Sequence, residues 1–127
     1  QREVVERMVA VPGSSAFGRL SVMLQYRFGM EALLQVPPEA FDPVPRVDST
    51  LVRLIPRPPE QLMASDERRF AALVAAAFAQ RRKMLRNSLG GLVEETQLAA
   101  LGLPSSCRAE ELSVADFVRL ANASPRQ

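Results

Sequence analysis

"LLQVPPEAFDPVPRVDSTLVRLIP", residues 33 to 56, decides how the chain is read: two apolar runs flank a bridge that holds Pro37, Pro38, Pro43 and Pro45, with Phe41 in its middle. The runs "EALLQV" and "VDSTLVRLIP" are short and bounded by proline. The second is rich in β-branched residues, with Val47, Ser49 and Leu51 as one alternating set and Val52 and Leu54 as the other, so both runs suit strands. About ten residues without a helical pattern join them, and a parallel crossover needs a dozen or more, so an antiparallel pair with a long, stiff hairpin loop is expected. As an isolated loop, its simplest role is structural: Phe41 tucks into the core and the prolines block edge pairing. A second role is equally physical. Prolines reduce the entropy lost on ordering, so a ring on such a loop is pre-positioned as a stacking platform, and stacking a base on it is worth about 1 to 3 kcal/mol. Asp48 and Ser49 raise general acid or base work as a third option, but one carboxylate without a partner or a histidine assigns them first to loop closure.

Outward from this stretch the pattern is helical. "QREVVERMVA" places Val4, Val5, Met8 and Val9 on one side of a helix, and a chain that opens on Gln1 rather than methionine reads as a cut end. Pro12 and Gly13 then end this helix, Ser14 or Ser15 can cap the next, and a helix over residues 17 to 28 carries Leu20, Met23 and Leu24 with Gly29 as its stop. After the strand pair, "PRPPEQLM" has the composition of a semi-rigid spacer. Ser65 is then expected as a cap ahead of Asp66 and Glu67, and Phe70, Leu73, Val74, Ala77 and Phe78 form one apolar stripe. Gly90 with Gly91, and Gly102 with Pro104, mark helix ends, while Ser113 with Asp116 marks a start. The expected organisation is an α/β portion over 1–57 with helices and an antiparallel strand pair, a proline-rich linker over 58–65, and a small all-α domain over 66–127.

Composition narrows the chemistry. The chain has 127 residues, 47% of them hydrophobic, enough to bury roughly two thirds of its unfolded surface. Its net charge is +2, with seven basic against six acidic residues up to Arg57 and nine against eight afterwards, so any polyanion must be met by a local cluster. Cys107 is the sole cysteine and there is no histidine. This removes an internal disulfide, the usual zinc ligand sets and histidine-based nucleophiles, and leaves Cys107 as a buried spectator thiol. The longest apolar run, Phe70 to Ala79, is half the roughly 20 residues of a membrane span, so a soluble, cytoplasmic protein is expected.

The one local cluster is Arg81, Arg82, Lys83 and Arg86, four cations within six residues and no acid among them. If the helix from Asp66 ran on, its buried stripe would project onto Arg81. An unpaired buried charge is costly, so either the helix breaks near Gln80, or Arg81 has an acidic partner, or it points into a ligand-facing groove. An arbitrary basic quartet is more often a solvated helix face; the functional alternative is a phosphate-binding patch with salt-sensitive affinity for nucleic acid.

Four segments together resemble one family. "PGSSAFGRLSVMLQY", "VPPEAFDPVPRVDSTLVRL", "AFAQRRKMLRNSLG" and "RAEELSVADFVRLAN" are similar, in this order, to segments of the KsgA-type ribosomal RNA adenine dimethyltransferases, relatives of the Erm resistance methyltransferases. The resemblance covers nearly the whole chain. It implies the C-terminal part of a Rossmann-like, S-adenosylmethionine-dependent methyltransferase, followed by a helical RNA-binding domain. The implied reaction is dimethylation at N6 of two adjacent adenosines in small-subunit ribosomal RNA, with the target base turned out of its stack. In the family motif F-x-P-x-P-x-V-D-S the aromatic residue borders the target-base pocket, which carries that role onto Phe41, with Pro43, Pro45, Val47, Asp48 and Ser49 completing the motif. An RNA-binding role likewise passes to Arg81, Arg82, Lys83 and Arg86.

The family's glycine-rich cofactor loop, the acidic residue that holds the ribose and its Asn-Leu-Pro-Tyr motif do not occur in these 127 residues. The resemblance therefore implies a fragment that alone neither binds the cofactor nor methylates RNA, with the small ribosomal subunit as partner. An isolated hairpin is marginal, so the expectation is either a homodimer through the exposed strand edge or further upstream sequence that completes the sheet. The competing readings are a non-catalytic RNA-binding or ribosome-assembly module, and a helical interaction domain whose basic run is only solvated surface.

Overall fold

The computed structural model describes residues 2–36, 49–80, 82–90, 92–104 and 106–123; of Ala32, Leu34, Gln35, Val36, Ser49 and Thr50 it describes the backbone alone. Helix α1 (Arg2–Met8) ends ahead of the expected Pro12 and Gly13 stop, and the chain then turns at Gly13, whose φ of 92° is the left-handed conformation that glycine adopts without strain. Val5 is the side chain that α1 buries, while Val4 is exposed, so the apolar side read from the sequence is narrower than expected. Helix α2 (Arg19–Arg27) begins after Gly18. The serines expected to cap it do not: Ser14 Oγ donates to the Val11 carbonyl at 2.8 Å, and the Oγ of Ser21, inside the helix, accepts from the Gly18 N–H at 3.0 Å.

Strand β1 (Phe28–Val36) follows α2 without a turn, because Phe28 is already extended at φ −132° and ψ 141°. Gly29 is therefore no helix stop but a strand residue opposite Ile55. Strand β2 (Ser49–Pro56) pairs with β1 antiparallel, from Phe28 opposite Pro56 to Val36 opposite Ser49. Glu31 faces Arg53 across the ladder, an opposite-charge pair that favours this register. The register slips between Ala32 and Leu34, leaving Leu33 as the extra residue of a β-bulge. The expected strand pair is present; the loop between its strands lies outside the described residues.

Residues 58 to 65 include a single 3-10 turn, Pro59–Gln61. Helix α3 (Glu67–Ala79) is capped by Asp66, whose carboxylate accepts from the N–H groups of Arg68 and Arg69 at 3.1 and 3.2 Å. Ser65, the expected cap, instead hydrogen-bonds through both its N–H and its hydroxyl to Asn122. The predicted stripe is the buried face: Phe70, Leu73, Val74 and Ala77 are buried, and Phe78 packs beside them.

The remaining helices are α4 (Leu85–Ser88), α5 (Glu95–Ala100) and α6 (Val114–Ala123). At the end of α5 the Leu103 N–H donates to the Leu98 carbonyl and the Gly102 N–H to the Ala99 carbonyl, both at 2.9 Å, with Gly102 at φ 76°. This double closure is a Schellman end, as the Gly102 and Pro104 signal predicted. Ser113 and Asp116 exchange reciprocal side-chain to backbone hydrogen bonds, each 3.1 Å, at the start of α6, also as expected.

One buried cluster draws on both sides of the proline-rich segment: Phe17, Val22 and Tyr26 from the front of the chain, and Phe70, Leu73 and Phe117 from the back. Full burial of each such side chain is worth roughly 1.5 to 3 kcal/mol. The Tyr26 and Phe70 rings lie 4.6 Å apart. The Tyr26 hydroxyl donates to Glu67 at 3.1 Å and accepts from the Ala64 N–H at 3.2 Å, so one side chain ties α2, the proline-rich segment and α3 together. From the far side Asn122 donates to the Met63 carbonyl at 2.9 Å.

Candidate nucleic-acid interface

The basic segment lies where α3 stops. Ala79 is the last helical residue, and Gln80 leaves helical geometry at φ −134° and ψ 59°. This is the break anticipated from the cost of carrying an arginine onto the buried seam. The Lys83 N–H donates back to the Gln80 carbonyl at 2.9 Å, which closes a tight turn that exposes Arg82 and Lys83. Arg81 lies outside the described residues.

The turn is anchored rather than loose. Leu85 is fully buried, its N–H donates to the Cys107 carbonyl at 2.8 Å, and Met84 forms an isolated antiparallel bridge with Arg108. Arg86 projects from α4 and pairs with Glu95 at 3.6 Å, both side chains being substantially exposed. A pair of this kind is worth little and yields readily to a better anion. The fold therefore places one acid beside a cluster that is acid-free in sequence.

It also adds a cation that the sequence reading missed. The bridge holds exposed Arg108 alongside the basic turn. In sequence Arg108 stands two residues before Glu110 and Glu111, so its local charge pattern gives no sign of a basic surface. Only a long-range backbone pairing could have revealed it. Next to it Cys107 is buried, and burial, then the neighbouring Glu111, pushes its thiol pKa up. That fits the expected spectator and argues against a nucleophile.

Of the expected target-base residues, Phe41, Pro43, Pro45 and Asp48 lie outside the described residues, and Ser49 is described only as the first backbone position of β2. Among the described residues no group of three or more His, Cys, Asp and Glu side chains could hold a metal ion, and no helix is long and apolar enough to cross a membrane. Away from this surface, the described residues enclose cavities of which two are of note. One, of about 610 Å³, lies between α2, the proline-rich segment and α6, with Tyr26, Met63 and Val118 in its walls and Arg57 and Arg119 among its polar residues. The other, of about 320 Å³, lies between α1 and α2.

The family described as "Ribosomal RNA adenine dimethylase" matches residues 1–124. Among curated proteins, the chain is 53% identical over 122 residues to "Ribosomal RNA small subunit methyltransferase A" of Dechloromonas aromatica, covering 96% of this chain and 48% of that protein. It is 57% identical over 122 residues to the protein of that name from Methylobacillus flagellatus, with the same coverage. The chain thus spans about half the length of the curated relatives it matches. Among solved structures, a dimethyladenosine transferase from Plasmodium falciparum superposes with a TM-score of 0.80 at 23% identity, over 94% of this chain and 53% of that one. The 23S rRNA methyltransferase ErmE superposes with a TM-score of 0.60 at 25% identity, over 84% and 45%. The first of these shows likeness of fold alone, and it agrees with the helices and antiparallel strand pair found here. The family match over residues 1–124, almost the whole chain, leads to one conclusion: the chain belongs to the ribosomal RNA adenine dimethylase family.

Proposed function

We propose that this chain supplies the RNA-docking surface and one wall of the target-base pocket of an S-adenosylmethionine-dependent enzyme that dimethylates N6 of two adjacent adenosines in small-subunit ribosomal RNA, in the cytoplasm. The observation that carries the docking role is the anchored basic turn: Arg82 and Lys83 exposed, Arg86 only weakly paired, and Arg108 bridged in beside them. Guanidinium and ammonium groups on such a surface neutralise phosphates and release counterions, while buried Leu85 fixes the backbone that presents them. Arg81 is assigned the same RNA-binding role in this reading. Phe41 offers its ring to the everted adenine, on a loop stiffened by Pro43 and Pro45 and closed by Asp48 and Ser49. Residues 1–57 then belong with the catalytic domain, 58–65 form the linker, and 66–127 are the helical RNA-binding domain.

When bound, S-adenosylmethionine supplies a methyl group on a positively charged sulfonium. The described residues do not fit it. The cavity between α1 and α2 is walled by Arg7 and Arg19, which repel a sulfonium, and neither cavity is lined by a carboxylate that could hold a ribose. No step of the transfer is assigned to these side chains, and the 127-residue chain alone is expected to be inactive.

The test pairs two measurements on unmethylated small subunits. Joint replacement of Arg82, Lys83 and Arg86 by alanine should weaken binding and flatten its salt dependence; unchanged affinity would leave the basic run as solvated surface. Methyl incorporation by the chain alone would overturn the assignment of cofactor binding to other residues. Salt-sensitive binding without turnover fits both a docking portion and a free-standing assembly module, and methylation by the full-length enzyme separates these two.

A further inference from the structure

The cavity of about 320 Å³ between α1 and α2 differs in character from the larger groove. Arg7 from the end of α1 and Arg19 from the start of α2 both line it, together with Ser15, Gly18 and Ser21, and no acidic residue does. Their positions are fixed from beneath. Ser21 is fully buried, its Oγ donates to the Arg7 carbonyl and accepts from the Gly18 N–H, so one hydroxyl pins the backbone that carries each arginine. Gln25 Nε2 adds hydrogen bonds of 2.8 Å to the carbonyls of Met8 and Ala10, which fix the exit of α1.

The two guanidinium groups are also available. Arg2, Arg27, Arg86 and Arg119 each pair with a carboxylate, but neither Arg7 nor Arg19 pairs with any described one. Two exposed forks that line one polar cavity, on a backbone held by buried hydrogen bonds, suit the charge of a phosphate group and its capacity to accept several hydrogen bonds. We infer that Arg7 and Arg19 form a second phosphate-binding subsite, which takes the RNA backbone at a point separate from the basic turn at the end of α3. The inference rests on the RNA-docking reading above and deepens it: the RNA is gripped by both the front and the back of the chain.

The test follows binding of the 127-residue chain to a small-subunit ribosomal RNA transcript between about 50 and 200 mM salt. The Arg7→Ala/Arg19→Ala variant should lower affinity on the order of tenfold and reduce the slope of log K against log salt by about 0.7 to 0.9, the contribution of the one phosphate that the two forks neutralise. The loss should be the same for an RNA of scrambled sequence, because phosphates carry no base information. Arg7→Lys/Arg19→Lys keeps the charges and should retain most of the slope, with the melting temperature of each variant showing that it folds. An unchanged slope in the alanine variant, alongside a reduced one in the Arg82, Lys83 and Arg86 variant, overturns the subsite and leaves the docking reading intact. If neither variant moves the slope, both fall. Equal losses in the lysine and alanine variants would mark a structural role and overturn the subsite. So would binding of inorganic phosphate, at matched ionic strength, that needs Arg7 and Arg19 while the RNA slope does not.

Discussion

At the scale of single residues, two aromatic side chains carry different kinds of claim. Tyr26 is structural: its ring lies against Phe70 and its hydroxyl joins Glu67 to the Ala64 N–H. Burial, opposed in part by the Ala64 hydrogen bond, raises its pKa above the ordinary value. The neutral phenol is thus favoured in the folded chain, and this stability is fully present below the unfolded tyrosine pKa of about 10. Above that pH the unfolded chain loses its proton first, so stability should fall as pH rises toward the folded pKa. Tyr26→Phe should remove this alkaline loss and lower stability at neutral pH by about 0.5 to 1.5 kcal/mol, the net worth of a hydrogen bond. Urea melts of both proteins at neutral pH and above pH 10 check both statements. Phe41 carries the functional claim. In the full-length enzyme Phe41→Ala should lower turnover by about 5- to 150-fold, the kinetic equivalent of 1 to 3 kcal/mol of stacking, and barely alter ribosome binding. Single-turnover methylation beside a binding measurement separates the two effects.

At the scale of elements, short segments depend on their anchors. Helix α4 has four residues, too few to hold itself together, so the basic turn is presented by Leu85 alone within that helix's buried face. Leu85→Ala should cost about 2 to 5 kcal/mol and reduce RNA affinity beyond what the loss of a neutral side chain explains. Denaturant titration and RNA binding, measured on the same variant below its unfolding transition, check this. Gly102→Ala forces a Cβ into the left-handed end of α5 and should cost about 1 to 2 kcal/mol, with nothing crowding it sterically; a thermal melt reads the loss.

Elements also show what the sequence makes legible. The α3 stripe, the Gly102 end and the Ser113 and Asp116 start are local signals within a few residues of one another, and local physics settles them. The break at Gln80 is one of three outcomes that the local cost of burying Arg81 left open, and the structure selects it. The direct passage from α2 into β1 does not, because Gly29 carries the composition of a helix stop and only its pairing with Ile55 makes it a strand residue. Nor does the bulge at Leu33, since two adjacent leucines hide which one leaves the alternation. Arg108 joins the basic surface through a bridge to Met84, a contact between distant positions with no local trace. For the candidate site, then, the cations next in sequence are readable, and the one brought in by tertiary pairing is not.

At the scale of the whole molecule, the two-stranded sheet is the part whose apolar surface is least covered. Leu51, Leu54 and Ile55 are about half exposed and Leu33 is exposed to 39%. Leu54 and Ile55 are adjacent and so point to opposite sides of the pleat, which means that apolar side chains meet solvent on both faces. Strands with apolar residues on both faces belong to sheets covered on both sides. In the described residues β1 and β2 each have one unpaired edge as well. Apolar faces beside open edges favour association, here with a second copy of the chain. Light scattering should therefore give a mass above the 14.0 kDa of one chain, rising with concentration. Ile55→Lys places a charge on the exposed strand and should shift the protein to monomer without lowering its melting temperature by more than a few degrees, since Ile55 is 54% exposed and contributes little to the core. A strictly monomeric wild-type chain, with the β2 amides well protected from hydrogen exchange, would show that the sheet closes on itself and needs no partner strand.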